Sequence, residues 1–292
     1  MDFFVTFWGV RGSIPTPGHA THRYGGNTAC IEVQIEDTLF ILDGGSGLRM
    51  LGADLIRRNK DVHAHMLFSH SHWDHIQGFP FFPPAYNPKT RLEVYGTKEG
   101  DQKIYSLLSG QMQDRYFPVQ FSDLGAVIGP AHLGGGGKQI GPATVNFLHT
   151  EHPGGSMAFS LECNGKKIVY STDNELDLRL KNREATLENP LISRECPDDF
   201  IEFCSDADLL IADGQYTDEE YKTHINWGHP RATTLVDLSK SAGVKQLAIT
   251  HHDPMQNDEL VDQKIDLCRK RALYINFEGD IFGAREGITL KI

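Results

Sequence analysis

Four potential metal ligands fall within six positions in Ser69-His70-Ser71-His72-Trp73-Asp74-His75, directly after the apolar run His65-Met66-Leu67-Phe68. Neutral imidazole and carboxylate suit zinc, manganese or iron. In a core each of these groups would need its own hydrogen-bond partner, so the density points to a metal centre rather than to packing. The competing reading is a histidine-rich surface loop, the usual false positive of a short motif.

Further candidates stand just past other apolar runs: Asp43, His149 and His152, Asp173, and His251 and His252. Singly, each also fits a turn aspartate, an N-cap or a structural histidine. His152 is preferred to His149 because it lies beyond the apolar segment and beside Pro153-Gly154-Gly155, a loop able to carry a side chain over a metal. Successive strand residues point to opposite faces, so one of His251 and His252 reaches a given centre. The first is favoured and the second stays open. His229 precedes a helical segment in Trp227-Gly228-His229-Pro230-Arg231. The Gly/Pro-rich opening, with Arg11, Ser13 and Arg23, offers two guanidiniums and a hydroxyl that could clamp a phosphate. The alternative pairs Arg11 with one of the chain's many carboxylates.

Strands must position these groups. β-branched and aromatic runs bounded by turn residues predict strands at 3–8, 30–35, 38–42, 65–68, 91–95, 144–148, 158–163, 167–171, 209–212, 246–250 and 288–291. Helical apolar spacing predicts helices at 48–58, 103–109, 217–221, 232–242 and 257–271, the last capped by Asn257 or Asp258. Each half is strand-dense with helices between, which implies an α/β fold of two sheets face to face with helices outside, a four-layer αβ/βα sandwich. Phe79 and Phe81 are expected in the core, with a base-stacking wall as the alternative. Gly134 to Gly137 lack the Lys-Ser/Thr ending of a phosphate-binding loop and read as a flexible connection.

The 292 residues, 39% of them apolar, suffice for one large domain, and no repeat or linker divides 1–292. A formal charge of −11 disfavours long nucleic acid as a partner. Five scattered cysteines give no disulfide framework or Cys-X-X-Cys pair, and neither a signal peptide nor a membrane span is evident. A cytoplasmic protein with no membrane partner is expected.

Taken together, the His-X-His-X-Asp-His run, Leu42-Asp43-Gly44-Gly45-Ser46-Gly47, the segments holding His152, Asp173 and His251, and Gly228-His229 resemble the metallo-β-lactamase superfamily over almost the whole chain. The resemblance implies two divalent metals per chain, zinc first and manganese or iron as alternatives. His70, His72 and His152 would bind one, Asp74, His75 and His251 the other, with Asp173 bridging. Asp43 would orient ligating histidines from outside. Asp74 counts as a catalytic group as well as a ligand, and a water or hydroxide between the metals would be the nucleophile.

The segment around His229 resembles the phosphodiesterase branch that includes ribonuclease Z, where this histidine acts as general acid or stabilises the transition state. Ribonuclease Z usually carries a tRNA-binding arm between the third and fourth metal motifs, but here His152 and Asp173 are separated by little more than a strand pair. The expected activity is therefore hydrolysis of a small nucleotide-like phosphodiester, such as a cyclic nucleotide. The rivals are a ribonuclease Z-like endoribonuclease, a glyoxalase II-like thioesterase and a nucleotide-binding sensor without turnover. Proteins resembling this chain are commonly homodimers, which is the expected assembly.

Overall fold

A computed structural model describes residues 2–58, 61–96 and 101–292, the side chains of 101–103 excepted. Six strands open the chain: β1 (Phe3–Gly9), β2 (Cys30–Ile35), β3 (Thr38–Leu42), β4 (His63–Leu67), β5 (Arg91–Tyr95) and β6 (Val127–Pro130). Seven more follow: β7 (Lys138–Ile140), β8 (Ala143–Thr150), β9 (Ser156–Cys163), β10 (Lys166–Ser171), β11 (Leu209–Asp213), β12 (Gln246–Thr250) and β13 (Asp280–Gly283). The last strand, β14 (Thr289–Lys291), returns to pair with β1, so one sheet runs β14-β1-β2-β3-β4-β5-β6 and the other β13-β12-β11-β10-β9-β8-β7. Each sheet is antiparallel on one side and parallel on the other, from β3 to β6 and from β10 to β13.

The sheets pack face to face because alternate residues of the antiparallel strands are apolar. In β1, Phe3, Val5 and Phe7 turn inward and meet Phe159, Leu161 and Ile168 of the other sheet in one buried cluster. Outside the first sheet lies helix α1 (Leu48–Arg57), then the single turn α2 (Trp73–Ile76) and α3 (Asp101–Gly110). Leu48, Leu51 and Leu55 of α1 form a second core with Ile41 and Met66. The other sheet is covered by α4 (Arg183–Glu188), α5 (Asp198–Cys204), α6 (Asp218–Tyr221), α7 (Ala232–Ala242) and α8 (Asp258–Ile275), with Leu235, Val236, Val261 and Ile265 against Leu210 and Ile249. Strands such as β11 and β12 are apolar on both faces because helices cover one and the partner sheet the other. This is the four-layer αβ/βα sandwich expected from the sequence.

The Asn257 side chain accepts from the Leu260 N–H and caps α8. The helix runs past 271 because Ala272 and Ile275 stay on its buried face, and Asn276 ends it in the left-handed conformation. Strands β6, β7 and β13, which the apolar pattern does not predict, are short and lie at the sheet edges, and Val127-Ile128-Gly129-Pro130 ends in a residue tolerated in a strand mainly at an edge. Phe79 is core, stacked on Phe121, whereas Phe81 is 54% exposed against Phe117 and so is not the core residue expected. Among the described residues, no helix is long and apolar enough to cross a membrane.

Candidate metal centre

The carboxyl ends of the strands converge on one edge of the sandwich, where open α/β sheets place their ligands. Asp43 follows β3, His70 to His75 follow β4, Asp173 follows β10, Asp213 ends β11 and His251 follows β12. Asp43, Asp173 and His251 all have positive φ, at 58°, 46° and 56°. Left-handed backbone in non-glycine residues costs on the order of 1–3 kcal/mol each, and such strain concentrates at functional sites.

His70, His72, His152 and Asp173 form one group of candidate ligands, Asp74, His75 and His251 another, and Asp173, Asp213, His229 and His251 a third that overlaps both, with ligand atoms in each group within 4.8 Å of one another. Asp173 joins them: its Oδ2 lies 3.5 Å from His70 Nε2 and 3.6 Å from His152 Nε2, while its Oδ1 lies 3.1 Å from His75 Nε2 and 3.2 Å from His251 Nε2. His149, in contrast, is an exposed residue of β8 packed on Phe147, and His252 is buried with its Nε2 donating to the Ala284 carbonyl. The structure gathers His152 and His251 and leaves both rivals outside.

The outward nitrogens of the rings are fixed by hydrogen bonds, which sets the tautomer and turns Nε2 inward. His75 Nδ1 donates to Asp43 Oδ2 at 2.8 Å, His152 Nδ1 to the Gly228 carbonyl at 3.0 Å, and His251 Nδ1 to Gln215 Oε1 at 2.9 Å. The Ser69 hydroxyl donates to Asp43 Oδ2 and its oxygen accepts from His70 Nδ1. Asp43 is therefore a hub, also taking the Ser69 N–H and the Tyr170 hydroxyl. His72 differs, presenting Nδ1 to His152 Nε2 at 3.0 Å. Two glycines permit this packing: a Cβ at Gly12 would strike the His251 ring, and one at Gly228, whose φ is +93°, would strike His152.

The donor set fits divalent cations. His70 Nε2 and His75 Nε2 are buried with no hydrogen-bond partner, an expensive state unless something else takes the lone pairs. Burial raises the Asp173 and Asp74 pKa, but neighbouring rings outweigh it and hold both carboxyls well below the usual range. Burial pushes His75 and His251 down, yet the carboxylates around them win: His75 rises well above its ordinary value and His251 to about 9. For His70, burial prevails and its pKa falls. Among the described residues, Asp43, Asp74, Asp173 and Asp213 thus pair with imidazoles and neutral donors and with no lysine or arginine, an arrangement that calls for cations.

His229 stands beside this cluster. Its ring stacks on His251 at 4.9 Å and lies 5.4 Å from His152, and its Nδ1 donates to Asp213 Oδ2 at 2.8 Å. Nε2 is the ring nitrogen that Asp213 does not engage. Ser13, with φ 63°, directs its N–H to Asp74 Oδ2 at 2.7 Å and lies exposed at the mouth. The two guanidiniums expected as phosphate clamps are held elsewhere. Arg11 is fully buried, with Nε donating to the Gly25 carbonyl and Nη1 to the Gln256 and Asp253 carbonyls. Arg23 pairs with Asp262 of α8 at 2.6 Å.

Three residues at the site were missed: Asp213, Gln215 and Glu175. Asp213 carries the same signal as Asp173, a carboxylate closing an apolar run. Gln215 and Glu175 have no signal of their own, since their partners, His251 and the 226–228 loop, are distant in the chain.

The profile of the Beta-lactamase superfamily domain matches residues 40–252. The chain belongs to the beta-lactamase superfamily. The matched stretch runs from β3 past His251, so it takes in every residue of the three candidate ligand groups, while the Ser13 loop precedes it. Within the superfamily, the chain is 23% identical to a ribonuclease Z of Methanosarcina mazei over 294 aligned residues, covering 88% of this chain and 89% of that one. It is 28% identical to the probable metallo-hydrolase YhfI of Bacillus subtilis over 248 residues, covering 85% and 86%. The crystal structure of YhfI superposes with a TM-score of 0.70 at 21% identity over the full length of both chains. The human short-form tRNase Z superposes with a TM-score of 0.64 at 17% identity over 99% of each. These superpositions show the shared fold.

Proposed function

We propose that this protein is a dinuclear metal-dependent phosphodiesterase acting on small nucleotide-like diesters. The observation that carries the reading is His229, held by Asp213 beside a seven-residue ligand set. His70, His72, His152 and Asp173 would hold one cation, and Asp74, His75, His251 and the shared Asp173 the other. Zinc suits this imidazole and carboxylate set, and manganese or iron would also fit. Bound there, two divalent cations acidify a water and stabilise negative charge on the phosphate.

The chain's own residues do the rest. Asp43 and Gln215 hold the rings in the tautomer that frees Nε2. His229 gives its Nε2 proton to the departing alkoxide, which a diester needs and a thioester does not, and Asp213 supports the imidazolium that forms before that transfer. The Ser13 N–H keeps Asp74 turned toward His75 and His251.

Substrate size follows from three features. Between His152 and Asp173 the chain makes only the β9–β10 hairpin. The net charge of −11 opposes a long polyanion. Arg11 and Arg23 are committed elsewhere. The second reading, an endoribonuclease, draws on the alignment with ribonuclease Z over 88% of the chain. Comparing kcat/KM for 3′,5′-cyclic nucleotides, 2′,3′-cyclic nucleotides and a tRNA precursor at two salt concentrations separates them. Small diesters should be preferred with a shallow salt dependence. Preferred cleavage of the tRNA precursor with a steep salt slope would install the endoribonuclease.

A further inference from the structure

A cavity of about 360 Å³ opens next to the metal centre, sharing His229 and Ser13 with it. That size lies at the small end of ligand sites, room for a nucleoside and not for an RNA helix. Three rings build one wall: Tyr216 stacks on His224 at 4.5 Å, and His224 meets the Trp227 edge at 4.6 Å. Trp227 is 60% exposed and Met255 86% exposed, so large apolar surface is left open where the fold could have covered it.

The exposure of Trp227 is not slack in a loose loop. Glu175, itself buried, accepts the Asn226 N–H at 2.7 Å, the Gly228 N–H at 2.7 Å and the Tyr221 hydroxyl at 2.8 Å. One carboxylate therefore pins the backbone on both sides of the indole. A tryptophan held this way is a rigid shelf, and stacking on it costs little ordering entropy. The cavity's charge completes the picture. Glu220 and Asp253 line it, and neither lysine nor arginine does. Such walls repel a phosphate and favour a neutral group that donates hydrogen bonds.

We infer that this cavity is a nucleobase site: Trp227 supplies the stacking face and Asp253 and Glu220 accept from the base, while the phosphate lies on the metals. The inference rests on the phosphodiesterase reading for its use, but its occupancy can be tested without turnover. Adenosine, which carries no phosphate, is titrated into the metal-loaded protein and its Trp227→Ala and Trp227→Phe variants by calorimetry, and hydrolysis of bis(p-nitrophenyl) phosphate is measured alongside. Adenosine should bind the parent protein about tenfold more tightly than Trp227→Ala, with Trp227→Phe recovering most of the difference. The ratio of kcat/KM for a cyclic nucleotide to that for a base-free cyclic ribose phosphate should fall about tenfold in Trp227→Ala. Equal adenosine affinity in parent and Trp227→Ala, or no binding at millimolar concentration, overturns the base site even if diesters are hydrolysed. Binding that depends on Trp227 in a protein that hydrolyses no diester supports the base site and removes the enzymatic reading instead.

Discussion

Two clusters of buried charge differ in how they are answered. Between α7, α8 and the segment before α5, Arg194, Arg231 and Arg271 meet Asp177, Asp218 and Asp237 at 2.5–2.8 Å, three positive groups against three negative ones. Backbone carbonyls of Pro190, Leu191 and Ile192 and the Thr233 hydroxyl fill out the guanidinium bonds. At the strand ends, Asp43, Asp74, Asp173 and Asp213 face imidazoles, two of which keep a buried nitrogen without a hydrogen-bond partner. The first cluster neutralises itself and holds helices together. The second needs charge from outside, and two dications would balance its four carboxylates.

The sharpest separation is expected from His229→Ala. Metal content should stay as in the parent, while turnover of diesters with poor leaving groups falls by roughly two to four powers of ten. A p-nitrophenolate leaving group needs less protonation and should suffer less. Equal losses on both substrate types would assign His229 to binding or structure instead of acid catalysis.

Breaking the self-neutralising cluster should do the opposite. Asp237→Ala leaves Arg271 without a carboxylate and takes one of two from Arg194, and removing one partner of a buried pair costs on the order of 3–5 kcal/mol. Denaturant unfolding should show that loss, while metal bound per folded chain stays unchanged. A variant as stable as the parent would show that this lattice is not what ties α7 to α8.

Smaller effects belong to residues that orient the ligands. Gln215→Ala should weaken metal binding by roughly 10–100-fold through His251, without touching the other group directly. Competition with a chelator reads the affinity, and an unchanged value would leave the Gln215 contact without consequence for the metal.

The difference between the clusters was only partly legible in the sequence. His70 to His75 could be found because ligand types crowd one strand end, and Asp173 and His251 because they close apolar runs. Asp213 offered the same cue one residue beyond a strand read as ending at Ala212. Arg11 was not legible: a guanidinium in a Gly/Pro loop looks the same whether it grips a phosphate or the carbonyls of Asp253 and Gln256, more than 240 residues away. The self-neutralising lattice is likewise invisible, since Arg194 and Asp237 are ordinary charged residues until the fold brings them together. The fold itself was more accessible, because apolar alternation marks the central strands, and its losses fall on three- and four-residue edge strands and on the short helices α2, α4 and α5.

The weakest effect expected is on pH. With the His251 pKa raised to about 9 by Asp173 and Asp213 against the opposing pull of burial, a cation must displace its proton below that pH. Metal affinity should therefore climb as pH rises toward about 9 and then level off. For the metal-free fold the sign is reversed: a folded pKa above the unfolded value of about 6.5 gives stabilisation that is complete below 6.5 and lost as pH rises through about 9. Chelator competition and metal-free denaturation across pH 6 to 10, roughly the span of those two values, check both halves. Flat profiles would contradict them.

The central claim is that Asp173 joins two cation sites, and counting metals by elemental analysis in the parent and in Asp173→Ala tests it most directly. The parent should hold two ions per chain, and the variant should lose occupancy at both sites because its two carboxylate oxygens face different ligand groups. Two ions retained at full occupancy in Asp173→Ala, or a parent that binds none, would contradict the account.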